Sequence, residues 1–299
     1  MRVHLACVMA TAAILSLAAC GGNGGSGSRP ALGLDDIREL TGLSAPMETG
    51  QAQQARQQEN SARADSLILS TMHVEAVLPD DARRFRLLSE CAGPRCEVLD
   101  PVTGETDARD LATSPVLRGD AEAIGSAHGI TLLAETGRHM GLDRTSLGAW
   151  MEHGSFGLFN DRAIGGEVES AYSYALALGD LTDGPLTGSA TWLGIMVGTP
   201  IAGDGRGDRL VGTAALNYDM SAGGLDAGLS GIKNIDRGTA YGVEAVIFSD
   251  LEVGPDGTFA RGQSGARIQG GFHGPGHAEA AGIFEHSNMI AAFGARRQQ

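Results

Sequence analysis

Three histidines crowd one short stretch near the C-terminus, His273, His277 and His286, with Glu279 and Glu285 among them. Imidazole and carboxylate are donors that transition metals and haem iron accept. His273 and His286 fall on two strands predicted to flank one turn, so a metal or haem-iron site is one expectation for this hairpin. An ordinary polar outward face is the other, because any hairpin carries one. Cys91 and Cys96, in CAGPRC, form the second pair with chemistry. A metal there would need further ligands, and none stands at suitable spacing. One disulfide, Cys91 to Cys96, is therefore expected, with the intervening Gly-Pro supplying a tight turn. Hydrolytic chemistry finds no support: GQSGA around Ser264 lacks the Gly-x-Ser-x-Gly elbow, and neither His-Glu-x-x-His nor Cys-x-x-Cys occurs. GDGRGDRL, residues 203–210, lies between two predicted strands with no helix to offer an N-terminus to phosphate, so it reads as a hairpin loop. It contains Arg206-Gly207-Asp208, a tripeptide that some adhesins present. Asp204 and Asp208 supply two carboxylates where calcium takes about six to eight oxygens. No catalytic residue and no cofactor is expected, and an enzyme survives only as a site built on barrel loops.

The elements that position these residues begin with a leader. MRVHLACVMATAAILSLAA has Arg2, an apolar run from Leu5 and small residues before Cys20, the layout of a signal peptide over 1–19. The run is about fifteen residues, short of the roughly 20 that a spanning helix needs. Leu17, Ala18, Ala19 and Cys20 resemble the bacterial lipobox. That resemblance implies a diacylglycerol on the Cys20 thiol, cleavage before it, and an acyl chain such as palmitate on the freed amine. Gly21 in place of aspartate resembles lipoproteins passed on to the outer membrane. The alternative is an ordinary secreted chain. No later segment has eighteen uninterrupted apolar residues, so the lipid is the expected membrane contact. An oxidising envelope compartment also suits the Cys91–Cys96 disulfide.

The net charge is -14, and loss of Arg2 with the leader makes it -15. So acidic a body argues against nucleic acid and against anionic lipid surfaces. Lys233 is the only lysine, which leaves lysine-based covalent catalysis a single candidate.

Residues 20–33 read as a lipidated Gly/Ser tether. The stretch 34–64 reads as a short helix, a break around Gly42 to Gly50, and a longer polar helix with a thin apolar face. Residues 65–165 read as a β-rich, handle-like section holding the disulfide, and 166–299 as a β-barrel domain. The fold class is all-β, with an antiparallel eight-stranded barrel at the C-terminus. Alternation there sets Trp192 and Met196 on one face, then Leu210, Ala214 and Leu216, then Leu225, Ala227 and Leu229, Ile268 with Phe272, Ala280 with Phe284, and Phe293. Glycine, 45 of 299 residues, fills alternate inward positions, so small and large side chains interleave. A narrow barrel filled this way has little internal chamber and works through its loops.

The closing stretch RIQGGFHGPGHAEAAGIFEHSNMIAAFGARR resembles the last barrel strands of transferrin-binding protein B and its relatives. The pattern is carried by Gly271, Phe272, Gly274, Pro275, Ala278, Glu279, Gly282, Phe284, Phe293, Gly294, Ala295 and Arg296. With the strand GSATWLGIMVG it covers about a third to two fifths of the chain. True transferrin-binding proteins have two lobes, each with a handle and a barrel; this sequence has room for one, and looks more like single-barrel, solute-binding-like lipoproteins. The resemblance implies exposure on the envelope and binding rather than catalysis: capture of a protein or solute through barrel loops, in service of an outer-membrane receptor. The alternative is a structural or assembly lipoprotein that docks on another envelope component. The motif residues are barrel-structure residues, and no binding site is carried over from them.

Overall fold

The computed structural model describes residues 32–48, 52, 55, 67–78, 81–88, 90–92, 95–99, 106–110, 121–139, 142–163, 170–182, 187–203, 205–219, 221, 224–263 and 265–299. A helix α1, Leu34–Thr41, opens the folded part, with Asp35 and Asp36 in its first turn where the helix dipole favours them. It ends where Gly42 turns left-handed at φ 72 and returns its N–H to the Arg38 carbonyl. The helix packs on the sheets: Ile37 and Leu43 enter the core, and Arg38 Nε donates to the Ile124 carbonyl at 2.5 Å. Just beyond, Ser44 and Ser126 exchange both backbone hydrogen bonds, which extends the sheet edge by one bridge. Ala52 and Ala55 are helical, and most of the expected longer polar helix, like the leader and Cys20, lies outside the described residues.

All strand pairs are antiparallel. The first sheet takes β1 (Leu67–Leu78), β2 (Asp81–Leu88), β6 (Glu122–Ala127), β7 (Ile130–His139), β8 (Leu142–Trp150), β9 (Gly154–Ala163) and β10 (Ser170–Gly179) in the order β2-β1-β10-β9-β8-β7-β6. A small sheet, β3 (Glu90–Ala92), β4 (Arg95–Leu99) and β5 (Thr106–Asp110), intervenes in sequence. The second sheet holds β11 (Ser189–Pro200), β12 (Leu210–Asp219), β13 (Gly224–Asn234), β14 (Thr239–Ala240), β15 (Ala245–Leu251), β16 (Thr258–Gln263), β17 (Ala266–His273), β18 (Glu279–His286) and β19 (Met289–Arg297). Eight of these follow the path β14-β13-β12-β11-β19-β18-β17-β16, and β15 pairs with β13 beside β14. The first sheet includes β10, so the change from one sheet to the next falls between 179 and 189, later than the 166 at which the sequence places the start of the barrel.

The second sheet rolls around its own core. Trp192, Met196, Leu210, Leu216, Leu225, Leu229, Ile268, Phe272, Phe284 and Phe293 form one buried cluster, the set that alternation picks out. Val246 and Leu251 of β15 and Phe259 of β16 belong to it too, so the two ends of the sheet come round to the same core. Phe272 packs between Trp192 and Phe259 at centroid distances of 4.6 and 5.6 Å, which fills the axis.

The opposite faces of β11, β18 and β19 do not meet water. Ile195, Val197, Ile283 and Ala292 join Leu132, Leu147, Phe156, Leu158, Ala175 and Ala177 of the first sheet in a second core. Strands buried on both faces need local thinning, and glycine supplies it: a Cβ on Gly294 would enter the Phe156 ring, and one on Gly194 would meet the Gly294 carbonyl.

Candidate functional site

The β17–β18 hairpin carries its polar residues on the face turned to the first sheet. Ile268, Phe272, Ala280 and Phe284 point into the barrel core, so the alternate positions Arg267, His273, Glu279 and Glu285 point the other way. Register pairs His273 with Glu279 at one end and Arg267 with Glu285 at the other. Glu279 also faces Arg296 on β19.

Glu279 acts as a clamp between the sheets. It is 2 % exposed, and its carboxylate accepts from the backbone N–H groups of Glu152, His153 and Gly154 at 2.9, 2.8 and 3.1 Å. These amides form the turn between β8 and β9, and Arg296 Nε lies 3.3 Å from Oε1 of the same carboxylate. A buried anion held by three amides and a guanidinium has its charge matched where it sits. At the other end Arg267 Nη2 donates to Glu285 at 2.6 Å, and the Gly265 amide takes the second oxygen.

His273 is wholly buried in the same junction. Its ring occupies the space left by Gly179, where a Cβ would fall inside it, and touches the position of Gly154. Among the described residues no side chain hydrogen-bonds its ring nitrogens, and the Asp180 backbone is the polar group that meets the ring. Burial pushes the imidazole down to about 4, against the opposing pull of Asp180. His277 sits at φ 59 with its ring edge-on to Phe272, and its carbonyl accepts from Trp192 Nε1 at 2.7 Å. Arg297 lies over that indole at 5.8 Å from the ring centre.

This placement corrects the expectation of a metal or haem-iron site at His273, His277 and His286. His286 pairs with Ala266, at the far end of the hairpin from His273. Seven residues of strand separate them, about 23 Å. No group of three or more His, Cys, Asp or Glu able to hold a metal occurs among the described residues. The sequence spacing misleads because the strand is as long as the interval between the histidines.

Arg206-Gly207-Asp208 lies on a turn as expected, yet its carboxylate is occupied. Asp208 accepts from Asn234 Nδ2 at 2.8 Å and pairs with the Arg237 guanidinium, and the Gly207 carbonyl accepts from Asn160 of the first sheet. The tripeptide is therefore built into the junction rather than held out. Cys91 and Cys96 stand directly opposite each other across the β3–β4 pair.

Two open grooves remain on the second sheet. One, of about 450 Å³, lies at the rim and is lined by Thr191, Asn217, Tyr218, Asp219, Asp226 and Asp250. The other, about 700 Å³, runs along Ile232, Lys233, Tyr241, Val243 and Glu244. Burial raises the Tyr241 phenol above its ordinary value. Sequence reading misses the rim aspartates, because they come from three separate strands or strand ends and share no motif.

The wholly buried imidazole of His273 is enclosed, and the carboxylates of Glu279 and Glu285 are taken up by backbone amides and arginines. What the surface offers is shape, backbone edges and charge.

The fold is similar to that of transferrin-binding protein B. The structure of intact Ap-TbpB with N and C lobes aligns over 77% of this chain and 46% of that one, at 16% identity and TM-score 0.42. Transferrin binding protein B of Neisseria meningitidis aligns over 77% and 44%, at 13% identity and TM-score 0.38. The N-lobe of lactoferrin binding protein B of Moraxella bovis aligns over 78% and 100%, at 13% identity and TM-score 0.33. The chain thus spans just under half the length of the first two. No family model matches the chain, and no curated protein matches it.

Proposed function

We propose that this protein is an envelope lipoprotein that works as a binding module. The filled core of the rolled second sheet carries this reading. With Trp192, Phe272, Phe259, Phe284 and Phe293 occupying the axis, a ligand has to be taken on the outside, by loops and edges on a rigid scaffold. The residues that carry the resemblance, among them Glu279, Gly294 and Arg296, are spent on joining the two sheets, in keeping with a scaffold role.

In this proposal residues 1–19 are a signal peptide, Cys20 is acylated, 20–33 tether the body to the outer membrane, and the sheets capture a protein or a solute for an outer-membrane receptor. Cys91 and Cys96 form a disulfide: directly opposed residues in an antiparallel pair lie about 4.5 to 5.5 Å apart at Cα, inside the range a disulfide spans. Transferrin and lactoferrin are the named ligands of the similar proteins; for this chain the captured molecule is left open to test.

The test is the native mass of the lipoprotein extracted gently from its own membranes. Capture predicts a bound solute of a few hundred daltons or a second, substoichiometric polypeptide. A fixed-ratio envelope partner with no transported ligand would replace this proposal with the assembly reading.

A further inference from the structure

The second sheet does not close by a ladder. Its two end strands, β15 and β16, follow one another in the chain and meet at the Val253–Phe259 bridge. Beyond that bridge the two part: β15 pairs only with β13, and β16 only with β17. Every residue of both strands is described, so the missing ladder is a feature of the fold. What spans the gap is one side chain, the Arg261 guanidinium, which donates to the Ser249 carbonyl.

That hydrogen bond fixes which backbone groups face the seam. Ser249 directs its carbonyl at β16 at the start of the register shift between the Ala227–Phe248 and Leu225–Leu251 pairs, and in the regular ladder just before that shift Ile247 lies two residues back on the same edge by alternation. Unpaired edges of this kind accept another strand unless something blunts them. Charge, proline or a covering loop is the usual protection. β15 has no proline and one charge, Asp250, which sits past the register shift with its N–H turned to Asp226 of β13; before the shift the strand presents Ile247 at 70 % exposure. Ala260, Arg261, Gly262 and Gln263 on the facing strand are exposed as well. Among the described residues the Arg261 side chain has no carboxylate partner, and its hydrogen bond is to the Ser249 carbonyl.

We propose that the β15–β16 seam is a docking edge for one extended polypeptide strand, apolar where it passes Ile247 and bearing a carboxylate opposite Arg261. The incoming strand takes the N–H and C=O groups of Ile247 and Ser249, and its carboxylate draws Arg261 off the Ser249 carbonyl. The partner chemistry follows from the edge: main-chain hydrogen bonds give the affinity, and Ile247 and Arg261 select the side chains. This rests on the binding-module reading for its natural partner, whereas the edge itself is tested without one.

The probe is an acetylated, amidated peptide of alternating valine and threonine with one central glutamate, added to the full chain. Two control peptides carry lysine in place of glutamate, or N-methyl groups along one edge. Binding is read by fluorescence anisotropy and by hydrogen exchange at Ile247 and Ser249. The glutamate peptide should protect both amides and bind about tenfold tighter than the lysine peptide, and N-methylation should abolish binding. Ile247→Pro removes a seam-facing N–H without touching the β13 ladder, and it should lose binding while keeping the thermal midpoint. If that variant fails to fold, Arg261→Glu serves instead: it should reverse the preference between the glutamate and lysine peptides. Unprotected amides at saturating peptide, or affinities indifferent to these changes, overturn the proposal. Peptide binding together with a bare native mass would sink the capture reading and leave the edge standing; a captured protein that leaves the seam amides exchanging freely would do the opposite.

Discussion

Acidification should weaken this protein through His273 in particular, and the size of the effect follows from where its ring sits. In the unfolded chain the imidazole titrates near 6.5; in the junction, enclosed by Gly154 and Gly179, burial outweighs the Asp180 backbone and carboxylate and pushes it down to about 4. Above 6.5 both states are neutral and the group costs nothing. As the pH falls below 6.5 the unfolded chain takes up a proton that the folded one refuses, so stability drops until the folded imidazole also protonates near 4. Across that window, at about 1.4 kcal/mol per pH unit, the loss reaches about 3 kcal/mol, of which about 2 has accrued by pH 5. His153 and Asp180 face the ring with opposite influence, and Glu279 pairs with it in register, its carboxylate already taken by three amides and Arg296. The comparison is His273→Phe, which keeps a flat ring in the slot and cannot titrate. Urea unfolding followed by Trp150 and Trp192 fluorescence, at about pH 7.5 and about pH 5, should show the native chain losing about 2 kcal/mol more than the variant. Parallel losses in the two proteins would refute the reasoning.

The remaining expectations concern the joint between the sheets and the small hairpin. Glu279→Gln weakens the buried acceptor of three backbone amides and removes the charge facing Arg296, and should cost about 2 kcal/mol in chemical denaturation, far more than Glu152→Gln at the exposed edge of the same turn. Gly294→Val drives a branched side chain into the Phe156 ring and should lower the thermal midpoint by about 5 to 10 °C, while Gly257→Ala tests strain at φ 76 rather than packing and should lower it by less. Thiol titration of the unfolded, unreduced chain should find Cys91 and Cys96 unreactive, and reduction should cost about 2 kcal/mol for so short a loop.

The barrel core was legible because its strands obey a period of two: Trp192 and Met196, or Leu225 and Leu229, alternate with residues that face water or a different core. The first sheet was not, because β8, β9 and β10 are buried on both faces where described, so AYSYALALG carries no alternation and was grouped with the barrel instead of the sheet before it. The short helix is legible in the helix formers of LDDIRELTGL and the break at Gly42. The histidine cluster failed for a geometric reason: closeness in sequence meant opposite ends of one hairpin. Glu279 could be recognised as a charged residue in a strand, but its partners are three backbone amides from 125 to 127 positions away, and amides carry no sequence signal.

The strand order of the second sheet also bears on how the chain is made. β19, last in chain order, lies between β11 and β18, in the middle of the hydrogen-bonded path. A chain emerging from its N-terminus therefore has two half-sheets, β11 to β15 and β16 to β18, joined only by the Val253–Phe259 bridge and the Arg261 hydrogen bond among the described residues until the final strand arrives. The clamp on the β8–β9 turn waits as well, since Glu279 and Arg296 come late. Joining the two halves into one hydrogen-bonded sheet is then a long-range step that waits for Met289–Arg297, whatever hairpins have formed before it. Until that strand arrives, β11 and β18 each keep one open edge, and the order of synthesis leaves those two edges to be covered last.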